Sequence, residues 1–157
     1  MPVTYGTTPT QVNSPSPETF QNYSTVADIP GFGYVVLWQG PGYNTTFPFE
    51  TGIFGQCYNY AGEKVGNQFQ VTESNTTGYL SDADVTEGPN GTFTVSWSGP
   101  DGSYPGIFMR PFFFGGSYAG GVTQVNTAEE GSQEYSQITH LANGNFLVTW
   151  ESSGPGQ

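Results

Sequence analysis

The chain has 157 residues, of which 13 are acidic and only 2 basic (Lys64 and Arg110), giving a formal charge of −11. Phosphate binding needs clustered Lys and Arg, so this balance excludes nucleic acid as a partner and argues against an anionic membrane surface. Good helix formers are scarce and no 3.6-residue apolar period is sustained, while Tyr, Phe and Trp are plentiful enough to build a core, so the chain is expected to fold as β-structure.

Three landmarks recur in one order. Gln-Val stands at 11–12, 70–71 and 124–125, spaced 59 and 54 residues apart. Trp38, Trp97 and Trp150 are spaced 59 and 53 apart, and Gly52-Ile53-Phe54 returns 54 residues later as Gly106-Ile107-Phe108. Such periodicity is the signature of a repeat architecture. It divides the chain into an N-terminal segment (residues 1–10), repeat 1 (11–69), repeat 2 (70–123) and a partial repeat 3 (124–157).

In chain order, Thr8–Val12 reads as the fourth strand of a cycle that precedes the first complete unit. Repeat 1 then supplies strands at Tyr23–Ile29, Tyr34–Trp38, Ile53–Asn59 and Gln68–Thr72. Repeat 2 supplies Ser81–Val85, Phe93–Trp97, Ile107–Phe113 and Val122–Asn126. Repeat 3 contains only Tyr135–Thr139 and Phe146–Trp150. In the clearest strand, Phe93, Val95 and Trp97 alternate with Thr92, Thr94, Ser96 and Ser98, a period-2 pattern that predicts a half-buried strand with its tryptophan in the core. Trp38 and Trp150 hold the same alternating position and are expected to be core residues too. Asn90-Gly91 and Asn143-Gly144 between first and second strands predict tight type I′ hairpins, and Ser98–Gly102 reads as a loop.

The third unit lacks its Gly-Ile-Phe strand, and an open sheet presents unpaired backbone that folded proteins avoid or exploit. The expectation is that a neighbouring copy completes it, with Pro2, Val3, Thr4 and Tyr5 as the donated segment.

Read as a consensus, the unit runs Phe93-Thr94-Val95-Ser96-Trp97, Asp101-Gly102, Gly52-Ile53-Phe54-Gly55-Gln56, Gly62-Glu63-Lys64-Val65-Gly66 and Phe69-Gln70-Val71. It resembles the tandem repeats of large secreted and surface proteins, and is similar to the repeats of glycosylated extracellular fibrils whose protomers join head to tail. That resemblance covers nearly the whole chain and implies surface or adhesion modules. Repeat 2 departs from it where Met109-Arg110-Pro111 replaces Gly55-Gln56-Cys57.

Four Asn-x-Ser/Thr sequons, at Asn22, Asn44, Asn75 and Asn90, fall in expected loops or strand edges, which is what N-glycosylation requires. Asp82, Asp84 and Asp101 could give oxygen ligands to calcium, though none belongs to a spaced calcium loop. Cys57 is the only cysteine, so no intrachain disulfide forms, and a small buried apolar side chain is expected there. His140 is the only histidine and stands at a strand end. One His and one Cys give neither a nucleophile triad nor a zinc set, so an enzyme is not expected. No apolar run approaches the ~20 residues of a membrane span, and residues 1–20 do not read as a signal peptide, so a secreted form would be mature or part of a longer precursor.

The reading is an all-β chain of tandem four-stranded antiparallel units, blade-like or stacked, with the third unit incomplete. Its expected role is a structural subunit of a glycosylated extracellular filament or surface adhesin, binding itself and covalent glycans and needing no cofactor. A carbohydrate-binding repeat module is the alternative.

Overall fold

The alternation of Phe93, Val95 and Trp97 with small hydroxyl residues gives an extended strand, and the same logic repeats through the chain. The computed structural model describes residues 11–12, 21–41, 51–72, 78, 80–102, 104–127 and 130–154. Within them the chain is all-β, with three antiparallel sheets. The first joins β1 (Asn22–Ile29), β2 (Gly33–Pro41), β3 (Thr51–Tyr58) and β4 (Lys64–Gln70) in sequence order. The second joins β5 (Ser81–Glu87), β6 (Thr92–Asp101), β7 (Tyr104–Phe113) and β8 (Thr123–Gln124) in the same order. The third has two strands, β9 (Ser132–His140) and β10 (Phe146–Ser153).

The second and third Gln-Val pairs each close a sheet. Val71 N–H donates to the Ile53 carbonyl and Val125 N–H to the Ile107 carbonyl, both at 2.8 Å. The sheets are therefore offset from the repeat units counted from Gln-Val to Gln-Val.

The two complete sheets carry the same cross-strand aromatic ladder. Tyr34 stacks on Tyr58 (5.3 Å) and Trp38 on Phe54 (6.5 Å), as Phe93 stacks on Phe112 (5.2 Å) and Trp97 on Phe108 (6.1 Å). Such pairs on one face are what fix register. The ladder face of the second sheet packs on the opposite face of the first, where Val35, Leu37, Ile53 and Cys57 are buried. Phe69 of β4 bridges the two, 5.9 Å from Phe93 and 5.4 Å from Phe112. A Cβ at Gly55 or Gly116 would collide with the Phe69 ring, so glycine there makes room for the bridge.

One local expectation is met and several are corrected. Asn90 (φ 57°) and Gly91 (φ 74°) have the paired positive φ of a type I′ turn, with Thr92 N–H bonded to the Pro89 carbonyl. The second Asn-Gly differs, because only Gly144 is left-handed and Gly144 N–H reaches the Leu141 carbonyl, so that in a connection of the same length the turn sits one residue earlier. Ser98–Asp101, expected as a loop, extends β6 and pairs with β7 down to Asp101–Tyr104. The half-buried β6 is buried on both faces, since Thr94, Ser96 and Ser98 are covered as well. The cause is β9, which crosses β5, β6 and β7 and brings the Ser136 hydroxyl to 3.1 Å from that of Ser96.

Asp84 ties the three first strands together. Its carboxylate accepts the Ile138 N–H of β9 at 2.9 Å and lies 3.4 Å from the Thr25 hydroxyl of β1. Asp84→Ala leaves a buried amide without its acceptor and is expected to cost about 1–3 kcal/mol in thermal or urea unfolding. A loss below ~0.3 kcal/mol would remove Asp84 from this role.

Candidate functional site

The first strands β1, β5 and β9 share a feature absent from the sequence-based expectations. Asn22 pairs with Gln39 and Thr25 with Leu37, so Tyr23 and Ser24 together oppose Trp38. By the same count Asp82-Ala83 opposes Trp97, and Tyr135-Ser136 opposes Trp150. Each is a β-bulge whose first residue is left-handed, with φ of 50° at Tyr23, 54° at Asp82 and 58° at Tyr135. These are three of the four non-glycine residues with positive φ among the described residues. A sequence signal exists, since Tyr23-Ser24, Asp82-Ala83 and Tyr135-Ser136 each begin fifteen residues before a tryptophan. Hydrophobic periodicity does not register it, because the bulge interrupts the alternation on which that method relies.

The three bulges converge. With Asp84 and Gln137 they line a shallow groove of about 290 Å³. The rings of Tyr23 and Tyr135 stand 62% and 59% exposed beside it. The Asp82 carboxylate accepts the Ser81 hydroxyl at 2.7 Å.

The sequence-derived candidates fall as follows. Asn22 is exposed at the start of β1, where it lines a separate hollow with Val12 and Trp38, and Asn90 is exposed at the apex of its turn. Asn44, Asn75 and the donor segment Pro2, Val3, Thr4 and Tyr5 lie outside the described residues. Of the calcium candidates, Asp82 and Asp84 lie in the groove, whereas Asp101 ends β6 and accepts the Gln124 amide at 2.6 Å. Among the described residues no three His, Cys, Asp or Glu side chains gather as a metal set. The tryptophans divide. Trp38 and Trp97 are core residues, 5% and 3% exposed, but Trp150 is 39% exposed because among the described residues its sheet has two strands and no aromatic partner from a third.

Cys57 is buried against the second sheet, where its sulfur accepts the Gly115 N–H at 3.4 Å. Burial raises its pKa, outweighing the lowering by that N–H, so the thiol stays protonated and unreactive. Because the folded pKa lies above the unfolded one, its contribution to stability is full below the ordinary thiol range and is lost as pH rises through the raised value. His140 N–H donates to the Thr86 hydroxyl at 3.1 Å and its ring packs 5.2 Å from Phe146, both structural roles. No helix among the described residues is long and apolar enough to cross a membrane.

Tyr58 marks a second place of interest. Its hydroxyl donates to the Val12 carbonyl at 3.0 Å, holding Gln11-Val12 against the ladder face of the first sheet. Burial, and then the neighbouring Tyr34, raise its pKa, which keeps the hydroxyl a donor. No protein-family model, curated protein or solved structure matches this chain.

Proposed function

We propose that the chain is a structural subunit of a glycosylated extracellular filament or surface adhesin, in which copies add head to tail by completing a neighbour's sheet. The observation that carries this reading is the third sheet. β3 and β7 pair along the far edges of β2 and β6, but β10 has no partner on that edge among the described residues. A free edge beside exposed apolar side chains is a template for strand addition.

Gln11-Val12 supplies the complementary half. Its counterpart Gln70 lies against the second unit, where the Tyr118 hydroxyl reaches the Gln70 carbonyl at 3.4 Å, much as Tyr58 holds Val12. Gln11-Val12 is thus a fourth-strand segment without its own sheet among the described residues, while β9–β10 is a sheet without its third and fourth strands. Joined between copies they make one composite sheet, with residues 2–5 as the donated third strand. The contact is heterologous and does not close on itself, so it propagates. The exposed sequon residues Asn22 and Asn90 and the likeness to fibril repeats favour an extracellular, sugar-bearing polymer.

Removing residues 1–12 is expected to leave folded units that no longer polymerise, as seen by electron microscopy of the full chain and the truncated chain in parallel. Filaments forming unchanged after truncation would overturn the reading.

A further inference from the structure

We propose that the groove where β1, β5 and β9 meet is a binding site for a neutral saccharide. The argument begins with residue type. A bulge of this kind needs its first residue left-handed, a conformation that Gly, Asn and Asp adopt at least cost. Asp82 follows that rule. Tyr23 and Tyr135 do not, and their exposed rings recover little by burial. The fold therefore explains the bulges but not the tyrosines. Strained residues persist where the surroundings impose them, and they gather at ligand sites.

What the tyrosines share is their place beside one groove, brought together from positions far apart in the chain. Two exposed aromatic rings offer flat faces to the C–H side of a pyranose. Asp82 offers carboxylate oxygens to hydroxyl donors, and the Gln137 amide and Ser24 hydroxyl can both give and accept. No Lys or Arg lines the groove, so an anionic ligand meets only negative charge. The volume of about 290 Å³ is near the lower end for ligand sites and suits one or two sugar rings.

Two sources share this chemistry. Asn22 lines a neighbouring hollow that shares Ser24 with the groove, so a glycan on Asn22 would start close enough to reach it; that source rests on the sequon being used. The other is a free saccharide or the glycan of another copy.

The test is an NMR titration of unglycosylated full-length protein with maltose, cellobiose, mannobiose, chitobiose and lactose. At least one is expected to bind saturably, with shifts centred on Tyr23, Asp82 and Tyr135. Tyr23→Gly and Tyr135→Asn are expected to weaken that binding by about tenfold or more. Both variants should keep or raise the melting temperature, because they place better left-handed residues at the bulges. Absence of binding by all five sugars, unchanged affinity in both variants, or a loss of several degrees in melting temperature would overturn the proposal. The sources separate in the native glycoprotein. If the Asn22 glycan fills the groove, added sugar binds only after Asn22→Gln; if native protein binds equally well, the ligand comes from outside. Polymerisation should be unaffected by either tyrosine variant, so this proposal and the filament reading fail independently.

Discussion

Phe93→Ala is expected to lower the unfolding free energy by about 3–5 kcal/mol. Phe93 is fully buried and belongs to a triangle of rings with Phe112 of its own sheet and Phe69 of the first, at 5.2 and 5.9 Å. It therefore holds register across β6 and β7 and, at the same time, the packing between the two complete sheets. The surroundings cannot collapse into the space left behind. Phe69 sits over Gly55 and Gly116, and on the same sheet face Leu37, like Phe112, is itself fully buried. With total stability of ~5–15 kcal/mol for a domain of this kind, the variant would lose roughly a fifth of it or more. Urea unfolding followed by tryptophan fluorescence would show the midpoint fall by roughly 2 M at unchanged slope. A fall under ~0.5 M would mean that the two sheets do not share one core.

The repeat itself could be read from the sequence because its landmarks are side chains that the ladder requires. Trp38 and Trp97, Phe54 and Phe108 recur because each pair stacks across β2–β3 or β6–β7. Strand boundaries and turns were legible to the extent that local chemistry decides them. Asn90-Gly91 forms the expected turn, whereas the same dipeptide at Asn143-Gly144 does not, since the turn there closes one residue earlier, on the Leu141 carbonyl. What stayed hidden depends on tertiary neighbours. Thr94, Ser96 and Ser98 look like a solvated face and are buried, because β9 brings its own hydroxyl and backbone groups to meet them. Trp150 looks like a core residue and is not, because among the described residues no third strand joins its sheet to cover it. The groove was hidden for a third reason. Its residues come from three repeats, and only the stacking of β1, β5 and β9 puts them side by side.

Leu147→Asp is expected to abolish assembly while leaving the isolated subunit almost unchanged. Leu147 is 50% exposed on β10, whereas its counterparts Val35 and Thr94 on β2 and β6 are buried by the following unit. In the proposed polymer a neighbouring copy buries Leu147 in the same way. A carboxylate there costs the subunit little, within ~0.5 kcal/mol, as for other exposed positions, so the melting temperature should move by no more than a few degrees. In the interface the same carboxylate is buried without a partner, in a chain already carrying a charge of −11. A hot-spot loss of ~2 kcal/mol at each junction weakens each contact about 30-fold, and a filament made only of such junctions does not persist. Sedimentation and electron microscopy at matched concentrations read the outcome. Trp150 supplies an internal reporter, because in a Trp38→Phe, Trp97→Phe background its emission should shift to the blue on assembly and stay red in the Leu147→Asp variant. Filaments of normal length from Leu147→Asp would show that the exposed face of β10 takes no part in assembly, and the composite sheet would have to be abandoned. Loss of filaments together with a melting temperature lowered by ten degrees or more would assign Leu147 to the subunit's own core, against its exposure in the fold.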